Sequence, residues 1–237
     1  MTELLVVIAI VLTLVAISIV ATGRIRQAAH KAQSASNLRQ LGAAMIGYTS
    51  DNAGRIPKLD YWTWDLMPYL GAERPDHSNI AQWPKIPAFN CPADKSRRDP
   101  KWPREIYISY GINIGGNYIG PSGQLTWYAK NDGSYGGKSH RTTTELQSPE
   151  RTMMLSEIEP GGYANAIYPM YPVYVNQPVG DGPIGKFWDK PTTPYEKCRV
   201  NFVFYDGHVE FLTVKDTLGR QGTLTNPKGI WTLDPND

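Results

Sequence analysis

The sequence predicts an α+β fold: one long N-terminal helix packed on a small antiparallel β-sheet, with extended loops. Three observations carry this. The first 51 of 237 residues contain no proline and read as helix throughout, whereas all nineteen prolines lie at or after Pro57. The apolar pattern then shifts to short β-branched and aromatic runs. An Asp-Gly dipeptide stands between the two most regular of these, as in a hairpin. With 41% hydrophobic and 19% charged residues, the chain is too apolar and too weakly charged for a disordered one. A formal charge of +2 gives no global field to recruit nucleic acid, and none is expected as a partner.

Residues 1–55 form the first segment. From Leu4 to Gly23 there is no charged side chain, and the run LLVVIAIVLTLVAISIVATG lacks helix breakers before its final glycine. Twenty helical residues span about 30 Å, the thickness of a bilayer's hydrocarbon. A cleaved secretory signal would carry a basic head and a small-x-small exit, yet no Lys or Arg precedes Arg24. A single-pass anchor fits the length. A third reading starts from Glu3, the lone acid at the tip of this helix, because a carboxylate entering lipid needs a partner.

From Arg24 the helix continues without a turn signal and becomes amphipathic. Ile25, Ala28, Ala32, Ala35, Leu38, Leu41, Met45 and Tyr48 recur at three- and four-residue steps and are the expected buried stripe. Arg24, Arg26, Gln27, Lys31, Gln33, Arg39 and Gln40 fill most of the remaining face. One helix over residues 2–51 would be about 75 Å long. Its front part (1–23) is apolar all round and its back part (24–51) is apolar on one side. The first requires lipid or sister helices, and the second a globular domain.

That domain, residues 56–237, is rich in loops. YWTWDLMPYLG (61–71) reads as a short helix or turn that buries aromatics, and 72–105 as loop. Ile106–Ile114 alternates as a strand, and Thr152–Ile158 is another. Arg199–Tyr205 and His208–Val214 form a hairpin around Asp206-Gly207, expected as a type I′ turn with positive φ at both central residues. On this reading Asp206 shapes the turn and His208 begins a strand. GYANAIYPMYPVYV (162–175) carries four tyrosines and two prolines; aromatic packing or subunit contact is the simplest reading, and sugar binding by aromatic faces the functional alternative. GSYGGKSH (133–140) is a glycine loop without phosphate-loop spacing.

Enzyme chemistry finds little footing. Two cysteines and four scattered histidines (His30, His77, His140, His208) argue against a zinc centre. Carboxylate pairs exist (Asp51 with Asp60 or Asp65, Glu157 with Glu159), but nothing singles out a general acid and base. No Gly-x-Ser-x-Gly motif is present. No enzyme activity and no cofactor are expected.

The apolar block ELLVVIAIVLTLVAI, the basic, Ala- and Gln-rich stretch behind it, and SNLRQLGAAMIGYTSDNAGRIP resemble the type IV pilin and type II secretion pseudopilin family. FNCPADKS, ISYGIN, SPERTMMLSE and VNFVFYDGHVEFL follow in the order of its prepilin-like group with a C-terminal His-x9-Asp-Gly motif. The resemblance runs from residue 2 to about 214. Two departures are visible. The family's glutamate is the fifth residue of the mature chain but Glu3 is third here, so a truncated start or a processed head is expected. Glu196 stands where the motif would have histidine.

The resemblance implies a pilin-like fold and a homopolymer whose core is built from the N-terminal helices. It implies assembly roles for Glu3, paired with a neighbour's N-terminal amine, and for Met1, Leu4 and Leu5 around it. It also implies an inner-membrane assembly platform and a prepilin peptidase as partners, with the chain held in the inner membrane before it joins a cell-surface filament. The basic residues after the apolar run, taken alone, would place the C-terminal domain in the cytoplasm; the resemblance places it outside. In that oxidising setting Cys91 and Cys198 are a candidate disulfide, worth about 4–5 kcal/mol by loop closure, with two free thiols as the alternative. Asp206 is a candidate calcium ligand only because pseudopilin relatives hold calcium in C-terminal loops; no Asp-x-Asp-x-Asp spacing supports it. The alternative to a filament subunit is a membrane-anchored, non-polymerising module that binds polysaccharide or another surface.

Overall fold

The computed structural model describes residues 2–57, 62–75, 84–94, 108–113, 142–158, 174–175, 199–220, 222–223 and 229–231. Helix α1 runs unbroken over Thr2–Asp51. It ends where Ala53 (φ 54°) and Gly54 (φ 76°) turn left-handed. The Gly54 amide then donates to the Thr49 carbonyl at 2.7 Å, and the Asn52 side chain to the Tyr48 carbonyl at 2.8 Å, so the final turn is capped.

Five strands form one sheet: β1 (Tyr110–Asn113), β2 (Met153–Glu157), β3 (Tyr174–Val175), β4 (Arg199–Phe204) and β5 (Val209–Thr213), in the order β3-β1-β2-β4-β5. β1, β2, β4 and β5 are antiparallel neighbours, as expected. The short β3 adds to β1 in parallel. The α+β class therefore holds, with one parallel edge that the sequence did not indicate.

The back of α1 lies across this sheet. Ser34, Asn37, Leu38, Leu41, Ala44, Met45, Tyr48 and Thr49 are buried. The expected stripe is thus right from Leu38 onward, half-buried at Ala35 and wrong at Ile25, Ala28 and Ala32. Ile25 is 68% exposed, and Ala28 and Ala32 are also exposed, because the domain first buries a helix residue completely at Ser34. Helix and sheet come very close at Gly42, where an added Cβ would sit 3.0 Å from the Val203 side chain. Glycine removes the obstacle to this approach.

The sheet has a core on each face. On the helix side Leu38, Leu41, Met45, Trp62, Phe89, Tyr110 and Leu155 pack together. Met153, Val200, Phe202, Phe204 and Trp231 fill the other. β1 and β2 are consequently buried at every position, so the alternation expected over 106–114 is absent within β1. A register shift between Met153 and Leu155 lets Met154 and Leu155 both join the helix-side core. Trp231, in a C-terminal 3₁₀ turn (Gly229–Trp231), donates from Nε1 to Thr217 Oγ1 at 2.9 Å. The aromatic segment at 61–71 contains α2 (Trp62–Leu66) and a 3₁₀ turn (Met67–Leu70), with Trp62, Trp64, Leu66 and Met67 buried.

The hairpin is real but its turn is not type I′. The Gly207 amide donates to the Phe204 carbonyl at 2.9 Å, and the Phe204 amide to the His208 carbonyl at 3.0 Å. Only Gly207 (φ 91°) has positive φ. This is a three-residue loop: a turn through Tyr205 and Asp206, closed by a left-handed glycine bulge. Asp206 keeps ordinary backbone angles because its Oδ1 accepts from the His208 amide at 3.1 Å, an Asx-type contact that fixes the loop locally.

Candidate functional site

Two surfaces and one buried cluster bring candidate functional side chains together among the described residues. The first surface is the front of α1. Leu4 is 65% and Leu5 66% exposed, and Val6 to Leu14 stay uncovered. Glu3 lies in the first helical turn, where a carboxylate is favoured by the helix's positive end. Met1 lies outside the described residues. The Thr13 hydroxyl donates back to the Ile10 carbonyl at 2.8 Å, so its polar group is satisfied within the helix. Helix α1 is long and apolar enough to cross a membrane, and no part of its apolar window is buried against the domain.

The second surface is the junction between this apolar front and the domain. Arg24 and Arg26 are exposed there. One helical turn before the buried stripe, Lys31 Nζ lies 3.8 Å above the centre of the Phe211 ring on β5. The Arg199 guanidinium of β4 lies 4.7 Å from the same centre and donates to the Phe211 carbonyl at 2.8 Å. Two cations from distant parts of the chain thus share one aromatic ring.

The buried cluster joins α1 to the sheet. Glu157, at the end of β2, is 1% exposed. Its Oε1 accepts from Ser34 Oγ and from Asn201 Nδ2 at 3.0 Å, and its Oε2 from the Asn201 amide at 2.9 Å. Tyr110 OH lies 2.9 Å from Ser34 Oγ, and Asn37 Nδ2 approaches Tyr110 OH at 3.4 Å. Since the serine proton points to the carboxylate, the tyrosine donates to the serine, and donors run in one direction from Asn37 to Glu157. Burial pushes the Tyr110 hydroxyl's pKa well above 10.0, with Cys91 and Glu157 adding to the rise. The Asn37 amide also donates to the Asn90 carbonyl at 2.9 Å, which brings the 84–94 segment to the same point. Solute cannot reach this carboxylate; its chemistry is positional.

The remaining sequence candidates are spread apart. Asp51 accepts from Tyr69 OH at 2.9 Å, and Asp65 pairs with Arg74 at 3.3 Å, so these two carboxylates serve different partners. Asp60 and Glu159 lie outside the described residues. Cys91 is buried, with Sγ 3.8 Å from Glu157 Oε1; Cys198 lies outside the described residues, as do Glu196, the glycine loop, and all of 162–173. His208 stacks on Phe204 at 4.2 Å, with Asp206 2.6 Å from Nδ1 and Glu210 3.6 Å from Nε2. The two acids approach opposite ring nitrogens and so do not converge on a common point. Among the described residues no group of three His, Cys, Asp or Glu side chains could hold a metal ion.

The sequence reading missed Ser34, Asn37, Glu157 and Asn201 as one unit. A signal was present: Ser34 and Asn37 fall at a three-residue step on the line that continues to Leu38 and Leu41, where an apolar stripe has no use for them. The Lys31–Phe211–Arg199 contact had no signal, because it depends on strand register. No known protein family, curated protein or solved structure matches this chain.

Proposed function

We propose that this chain is a pilin-like structural subunit that polymerises through the front of α1 into an extracellular filament of the type IV pilus or pseudopilus kind. One observation carries the reading. A helix apolar on every side emerges from the domain with its large aliphatic side chains uncovered. Such a surface requires lipid or copies of itself. Its small residues, Ala9 and Ala16, suit close helix packing as well as lipid. In this reading the helix resides in the inner membrane until an assembly platform moves it into the filament core, and a prepilin peptidase prepares its head. Glu3 pairs with the amine of a neighbouring subunit, since a buried carboxylate is tolerated only with such a partner.

Electron microscopy of material sheared from cells, with mass spectrometry of the N-terminus, tests the proposal. Filaments composed mainly of this chain, with α1 in their core, are the expected result. Monomers found only in the membrane fraction would overturn it in favour of an anchored module.

A further inference from the structure

We infer that the base of the head domain is an anionic-lipid contact surface, in which Arg24, Arg26, Lys31 and the distant Arg199 together bind the phosphates of acidic headgroups. The inference rests on the membrane residence of the front of α1. Helix α1 is unbroken through Gly23, so depth follows from helical rise. Arg24 and Arg26 fall within about 5 Å of the end of the apolar run, inside the polar headgroup layer. Lys31 falls about 12 Å beyond it, and phosphate charge is still felt at roughly a Debye length of 8 Å outside that layer.

The fold then adds a cation that the helix lacks. β4 begins at Arg199, and the Phe211 ring holds its guanidinium and the Lys31 ammonium at one place. Helix α1 has no acidic residue between Glu3 and Asp51. Among the described residues no carboxylate lies within ion-pair distance of these four cations. Glu210, the acid of β5, faces His208 near the turn.

The test uses the full chain reconstituted in vesicles of phosphatidylcholine, doped with trace spin-labelled phosphatidylglycerol or spin-labelled phosphatidylcholine. A basic side chain near an anionic surface strengthens attraction by about fivefold. A several-fold preference for the acidic label is therefore expected at low salt, collapsing at high salt. Arg24→Gln with Arg26→Gln should remove most of it, and Arg199→Gln alone should reduce it while near-ultraviolet circular dichroism stays unchanged. Equal association of both labels at low salt would overturn the inference and leave the membrane reading standing. So would a preference indifferent to all three arginines. A chain that fails to float with pure phosphatidylcholine vesicles would overturn the membrane reading, and the inference with it.

Discussion

Ser34 and Glu157 stand 123 residues apart in the chain and share a fully buried hydrogen bond, serine donating to carboxylate. This bond fixes where the head domain grips α1. It lies at the first buried position of the helix, and ahead of Lys31, which still touches Phe211, the apolar front is left for another partner. Ser34→Ala leaves the carboxylate with a donor missing in a place water does not reach. A loss of about 1–3 kcal/mol is expected, measured by thermal unfolding of the full chain in detergent micelles. Unchanged stability would show that the remaining donors, Asn201 and the Cys91 thiol among them, satisfy Glu157 without the serine.

Ala53 adopts φ 54° just after α1, a region that costs an L-residue with a Cβ about 1–2 kcal/mol. Part of this is recovered by alanine's smaller entropy in the unfolded chain. Ala53→Gly should therefore stabilise the protein by about 0.5–1 kcal/mol. The same unfolding measurement should show a higher midpoint, and a lower one would mean that the alanine methyl group makes a contact worth more than the strain.

Alkaline pH should unfold the domain through its buried phenols. Burial raises the pKa of Tyr205 far above 10.0, and burial with the neighbouring Cys91 and Glu157 raises that of Tyr110. A group whose native pKa is raised binds its proton more tightly when folded. Its contribution is complete below the unfolded pKa and is lost as pH climbs above about 10 toward the native value. Stability followed from pH 8 upward should thus be level and then fall. Tyr205→Phe should flatten the fall, and an identical slope in that variant would exclude Tyr205 as its source.

Glu3→Ala should leave the head domain folded, since Glu3 is exposed and far in sequence from the first buried residue, Ser34. Filament yield in sheared fractions should drop sharply. Normal filaments from this variant would remove the assembly role of Glu3.

The class of fold was legible because it rests on local signals. A break-free apolar run specifies α1, and Asp-Gly between β-branched runs specifies the β4–β5 hairpin. The errors arose where a local rule met tertiary packing. Ile25 and Ala32 satisfy the helical period of a buried stripe, yet periodicity cannot show where the domain begins to cover it. Asp206-Gly207 satisfies the preference for a type I′ turn, but the contact from Asp206 to the His208 amide supports a loop one residue longer. The second core was invisible because Trp231 reaches the sheet from a segment with no periodicity. The junction cluster of Ser34, Asn37, Tyr110, Glu157 and Asn201 comes from four distant segments of chain, α1, β1, β2 and β4. Each member looks unremarkable alone, and only the packing of α1 on the registered strands β1, β2 and β4 unites them.

Helix α1 crosses from its exposed front to its packed back without a proline, a bulge or a hinge. The azimuth of every front side chain is therefore geared to the orientation of the sheet. Each residue added between Gly23 and Ser34 would turn the head by about 100° about the helix axis and lift it about 1.5 Å. Four residues would restore the heading to within about 40° while raising the head by about one turn. The stretch 24–33 thus works as a drive shaft whose length sets the direction in which the head points.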